Sequence, residues 1–116
     1  MRQDIREHIK SDKVNKTINP EKQNRHIRGT KEYTEGRSYL LDGVDAQELV
    51  DRYHGTGKPE PTRAGNWSNR ETVTADRDIG VRVYPNTRDG TITNRFVIHY
   101  SRTGTHIVPT NRRSQT

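Results

Sequence analysis

Three histidines sit among neighbours that give an imidazole something to do. Near neutral pH a histidine gives or takes a proton more readily than any other unperturbed side chain, and it does so to effect beside groups that hold an anion. His26 lies within Lys22-Gln23-Asn24-Arg25-His26-Ile27-Arg28-Gly29-Thr30. That cluster suits a phosphate through Lys22, Arg25 and Arg28, with His26 as the acid or base beside it. His99 and His106 belong to Arg95-Phe-Val-Ile-His-Tyr-Ser-Arg-Thr-Gly-Thr-His-Ile-Val-Pro109, the densest apolar run in the chain. Ser101 and Thr105 add hydroxyl donors there, and Arg95 and Arg102 add charge. The simpler reading makes the first stretch a solvated surface segment and the second a pair of ordinary strand histidines.

With 116 residues, 26% of them hydrophobic, and a net charge of +6, the chain has room for one small domain with a thin core, near the compositional border with disorder. Excess cations favour a polyanionic partner, although a basic protein can be basic for solubility alone. Cysteine is absent, which removes a disulfide framework and any Cys-ligated zinc site. No pair of histidines has the tight spacing of a helical zinc motif. Neither a metal nor another cofactor is expected. No apolar segment approaches a membrane span, and Met1-Arg2-Gln3-Asp4 does not open a signal peptide, so a soluble chain is expected.

The elements that must position these groups are legible in part. Residues 1–21 read as a linker or frayed helix, with Ile5 and Ile9 four apart as the helical hint. Asp45-Ala46-Gln47-Glu48 has the form of a capping box, after which Ala46, Leu49, Val50 and Tyr53 share one helical face, and Gly55 ends the helix. His54 in the last turn is explained by the helix C-terminus. Gly57 to Asn69, with Pro59, Pro61, Gly65 and Trp67, reads as a loop in which Trp67 is an anchor more than a base-stacking platform. Glu71 to Ala75 is a short strand candidate. Ile79, Val81 and Val83 alternate as a better one, closed by Pro85 to Gly90. Thr91 to Ser101 is expected as the longest strand. A tight turn at Thr103-Gly104 then returns the chain as Thr105 to Val108, and a two-residue loop sets Ser101 opposite His106 and Tyr100 opposite Ile107. One face then collects Arg82, Arg95, His99, Ser101 and His106. The layout is α+β, with N-terminal helical segments packed on an antiparallel sheet of three to four strands, and residues 110–116 form a polar tail.

The basic cluster, Gly36-Arg37-Ser38-Tyr39-Leu40, Gln47-Glu48-Leu49-Val50, Gly55-Thr56-Gly57, Gly65-Asn66-Trp67 and Ile98 to Pro109 together resemble the polymorphic toxin type 50 domain. The resemblance runs over residues 22–109. It implies a ribonuclease toxin module at the C-terminus of a larger secreted bacterial protein or phage structural protein, acting in the target-cell cytoplasm. It also implies a fold like the barnase, EndoU, colicin and RelE nucleases, in which a helical part precedes a curved antiparallel sheet.

A metal-free ribonuclease uses the 2′-hydroxyl of RNA as nucleophile and leaves a 2′,3′-cyclic phosphate. It needs a base, an acid and donors for the phosphate charge. On that reading His26 and His106 are the acid-base pair with roles open, and His99 is in reserve. Ser101 and Thr105 donate to phosphate oxygens. Lys22, Arg25, Arg28, Arg95 and Arg102 contact the RNA, and an acidic immunity protein holds a bacterial version inactive. The rival readings are a non-catalytic nucleic-acid-binding module of a phage head or ejection protein, and a structural appendage of a virion.

Overall fold

The computed structural model describes residues 3–87 and 89–112. Of the expected tail, residues 113–116 lie outside the described residues, and Thr110 belongs to the last strand. In chain order the elements are α1 (Gln3–Lys10), α2 (Pro20–Asn24), β1 (Tyr39–Leu40), α3 (Ala46–Tyr53), β2 (Lys58–Pro61), β3 (Trp67–Thr74), β4 (Gly80–Val83), β5 (Gly90–Thr93), β6 (Arg95–His99) and β7 (His106–Thr110). The fold is α+β as expected, but its strands form two antiparallel sheets. One has the order β2-β3-β6-β7, the other β1-β4-β5.

The four-stranded sheet owes its two faces to strand alternation. Val73 pairs with Phe96, Phe96 with Pro109 and Ile98 with Ile107, and these side chains point into the core with Ile9, Leu49, Val50 and Ile79. Their neighbours in sequence, Arg70, Val97, His99, His106 and Val108, therefore point the other way. Glu71 lies on the core side and is fully buried. Its carboxylate accepts from Tyr100 Oη at 2.6 Å, Gly55 N at 3.1 Å and Gly57 N at 2.7 Å, which ties the end of α3 to the sheet.

Asp45 caps α3 through its carboxylate, accepting from Gln47 N at 2.9 Å and Glu48 N at 3.4 Å. Ala46, Leu49 and Val50 form the buried stripe. Gly55 follows at φ 80°, a conformation that costs a residue with a Cβ. His54 is a structural residue, its Nδ1–H donating to Val50 O at 2.7 Å.

Four expectations need correction. Residues 3–10 are neither linker nor frayed end: α1 buries Ile9 completely and Arg6 Nε donates to Gly57 O at 2.9 Å. The loop expected over Gly57 to Asn69 contains β2 and the start of β3. Two prolines obscured β2, and they are accommodated because it is an edge strand. The long strand over Thr91 to Ser101 is two strands in different sheets. Its chain turns a corner at Asn94, where Ala75 N donates to Asn94 O at 2.8 Å and buried Thr93 Oγ1 accepts from Arg95 N at 3.1 Å. Finally, His99 rather than Ser101 pairs with His106, and residues 100–105 form the connection. A two-residue turn fails there because the N-terminal segment claims the backbone of Thr105. Asn19 N donates to Thr105 O and Thr105 N to Thr17 O, both at 2.9 Å.

Candidate active site

Helix α2 is only five residues long, and its position is set from outside. Asn19 caps it by accepting from Lys22 N at 3.2 Å while its Nδ2 donates to Thr103 O at 2.9 Å, and Pro20 fits the first turn. The decisive residue is Gln23, 2% exposed. Its Nε2 donates to Ile107 O at 3.0 Å and its Oε1 accepts from Ile107 N at 2.7 Å. The amide thus completes the outer edge of β7 as another strand would, and fixes the end of α2 one residue from His106.

The chain leaves α2 directly into His26, which is held at both ends. Leu40 N donates to His26 O at 2.9 Å, and His26 Nδ1 lies 2.9 Å from Ser38 O. A carbonyl only accepts, so Nδ1 carries the proton and Nε2 presents its lone pair. Ser38 is itself fixed, its Oγ accepting from Val83 N at 2.9 Å. The ring of His26 stacks nearly parallel to that of His106, with centroids 6.0 Å apart and planes 7° apart. His106 stacks in turn on His99 at 4.8 Å and 10°. Three imidazoles therefore form a column with His106 in the middle, and its buried Nδ1 has no partner among the described residues.

Burial is the first cause acting on all three rings, and it favours the neutral form. His26 is lowered from 6.5 by burial, against the Ser38 bond, with Arg37 and Arg25 adding repulsion. His99 is lowered by burial and then by Arg70 and His26. His106 falls furthest, to about 4, through burial and the charges of His99, His26, Lys22 and Arg25.

Of the other expected site residues, Lys22 and Ser101 join the column. Lys22 Nζ donates to Ser101 Oγ at 3.2 Å, Thr103 Oγ1 at 2.9 Å and Gly104 O at 3.3 Å. Arg25 ends α2, exposed, close enough to act on His26 and His106. Thr105 needs correction as a phosphate donor: it is fully buried and its hydroxyl is committed to His99 O at 2.6 Å. Arg28 is drawn away, its guanidinium 4.6 Å over the Tyr39 ring. Arg95 shares the face of His99 but pairs with Thr110 at the far end of β6, and Arg102 lies on the connection beyond it. Arg70, missed because its segment read as a loop and then a short strand, pairs directly with His99. Arg70 and Arg82 flank His99 in a groove of about 240 Å³ that also reaches Ser38.

Such a column can move protons and hold an anion. Parallel rings direct their nitrogens along separate planes rather than at one point. Among the described residues no group of three or more His, Cys, Asp or Glu is placed to hold a metal ion. No described helix is long and apolar enough to cross a membrane.

The family model for bacterial toxin 50 matches residues 18–109. No curated protein sequence matches the chain. The matched span begins within the segment that claims the backbone of Thr105 and ends at Pro109, so it contains His26, His99, His106 and Lys22. On a match over most of its length, the chain belongs to the bacterial toxin 50 family.

Proposed function

We propose that this toxin domain is a metal-independent endoribonuclease. The observation that carries the reading is the column of His26, His106 and His99 beside Lys22. The tautomer of His26 makes its Nε2 the base that removes the 2′-hydroxyl proton. The 2′-oxygen then attacks phosphorus, the bond from phosphorus to the 5′-oxygen breaks, and protonated His106 delivers a proton to that oxygen. The products are a 2′,3′-cyclic phosphate and a 5′-hydroxyl. Lys22, Ser101, Arg25 and Arg70 neutralise and bind the phosphate. Its negative charge also restores basicity to rings that are neutral in the free protein, so substrate entry supplies the acid with its proton.

The test is incubation of purified protein with total RNA and with DNA in EDTA. RNA is expected to be cut to cyclic-phosphate ends and DNA to stay intact. Activity that vanishes in EDTA and returns with a divalent ion would sink the metal-free mechanism, and intact RNA under all conditions would favour a binding module without catalysis. We read the chain further as one module of a larger secreted or phage-borne protein. In a bacterial producer its basic face is blocked by an acidic immunity protein whose carboxylates stand in for phosphate. Co-purification with a basic inhibitor docked away from the column would contradict that partner.

A further inference from the structure

A second concavity adjoins the histidine column, and no step of the proposed reaction uses it. It has a volume of about 830 Å³, walled by His8, Trp67 and Tyr100 and rimmed by Asn69, Ser101 and Arg102. The wall is rigid. Trp67 meets His8 edge-on at 5.9 Å and Tyr100 at 5.6 Å, and its indole N–H is already satisfied by Arg70 O at 2.9 Å. The half-buried ring lines the cavity.

Asn69 adds the polar element. It is the one non-glycine residue at positive φ, 65°, among the described residues. Its carbonyl holds Tyr100 N at 2.8 Å, while its exposed side-chain amide makes no hydrogen bond among the described residues. Asparagine adopts that conformation more readily than other residues with a Cβ, and here it turns the amide out at the cavity rim. A free carboxamide offers one acceptor and two donors in a plane, which is what the edge of a nucleobase matches.

The cavity and the column share a rim. Arg70 pairs with His99 on the column side, and the next residues along, Asn69 and Tyr100, line the cavity. Ser101 belongs to both, lining the cavity while it accepts from Lys22 Nζ. A phosphate held at Lys22 and Ser101 would lie at that shared rim, beside a lining that carries Lys13 and Arg102 with Asp12.

We propose that this cavity is a nucleobase subsite, which takes the unpaired base of a nucleotide flanking the scissile phosphate, stacked on Trp67 and read by the amide of Asn69. The proposal rests on the ribonuclease reading of the column. It makes single-stranded RNA the substrate class, because a base inside a duplex cannot enter the cavity.

Trp67 is the single tryptophan, so its fluorescence reports the cavity directly. The probes are 2′-O-methyl hexanucleotides, which cannot be cleaved, and a hexamer of the same backbone without bases. Base-bearing hexamers should quench Trp67 and bind about tenfold or more tighter than the abasic one, the scale of one lost stacking contact. Asn69→Gly keeps the backbone conformation and removes the amide. It should level the affinities for the four homohexamers while circular dichroism stays that of the parent. Equal binding of abasic and base-bearing hexamers, or no quenching by either, overturns the subsite. A base preference unchanged in Asn69→Gly overturns the role of Asn69. Base-dependent quenching with unmodified RNA left uncut leaves the subsite standing and removes the ribonuclease reading.

Discussion

At the scale of single residues, the stacked rings oppose a second proton in the column once one ring is charged. A charge on His106 faces neighbours at 4.8 and 6.0 Å, and burial already disfavours it, so a second charge within the column meets both penalties. One neutral ring beside one protonated ring is the state that acid-base catalysis needs. The dependence of kcat/KM on pH should therefore be a bell reporting the coupled group, with its maximum on the acid side of 6.5 because all three rings are lowered from that value. His26→Ala and His106→Ala should each cost about a hundredfold or more in rate, and the double variant much less than the product. Two further substitutions separate chemistry from structure. Ser101→Ala should lower the rate. Thr105→Val, which deletes a hydroxyl bonded to His99 O, should cost about 1 kcal/mol of stability and leave the folded enzyme active. Single histidine variants that are folded by circular dichroism and cut RNA at the parent rate would remove the pair from the mechanism.

Elements bring these residues together, and the least conspicuous of them does most of it. Gln23 fastens short α2 to β7 through both hydrogen-bonding groups of Ile107. Gln23→Ala would leave a buried N–H and a buried carbonyl without partners, a loss of about 2–6 kcal/mol at about 1–3 for each group. Urea unfolding should register that loss, and activity should fall with it because His26 follows α2 directly. An unchanged midpoint with full activity would show that α2 is held by something else. Short-range chemistry of this kind was legible where it is local: the Asp45 cap, the apolar stripe of α3 and the alternation of β4 and β6 are all sequence patterns. Strand alternation also put His99 and His106 on one face, whereas His26 was joined to them only through the ribonuclease reading that the resemblance implies. Register was not legible. It depends on residues 17–19 binding Thr105, contacts far apart in sequence. The corner at Asn94 was hidden because Ile92 keeps the alternation of Phe96 and Ile98 yet is 48% exposed on the other sheet. Glu71 takes no part in the site, because its three donors hold it on the core side of the sheet.

For the molecule as a whole, desolvated histidines link stability to acidity. A group whose folded pKa lies below its unfolded value stabilises the fold above that unfolded value and gives the stability up as pH falls. Here the unfolded chain takes up protons near 6.5 while the folded chain refuses them until lower pH, down to about 4 for His106. Through that window the unfolded state holds more protons, so stability must decline on acidification. The midpoint of urea unfolding should fall between about pH 7 and about pH 5, in a range above most carboxylate titrations. A variant with His26, His99 and His106 all replaced by Asn should show a flatter decline, and the parent slope retained in that variant would assign the acid sensitivity elsewhere. If the column binds RNA as proposed, the balance reverses. Phosphate beside the column favours the charged rings, so a proton is taken up on binding and affinity for a non-cleavable 2′-O-methyl oligonucleotide should rise as pH falls through the same window. Calorimetry in buffers of different ionisation enthalpy would measure that uptake. Binding without it, or affinity that weakens on acidification, would mean that the phosphate sits away from the three rings.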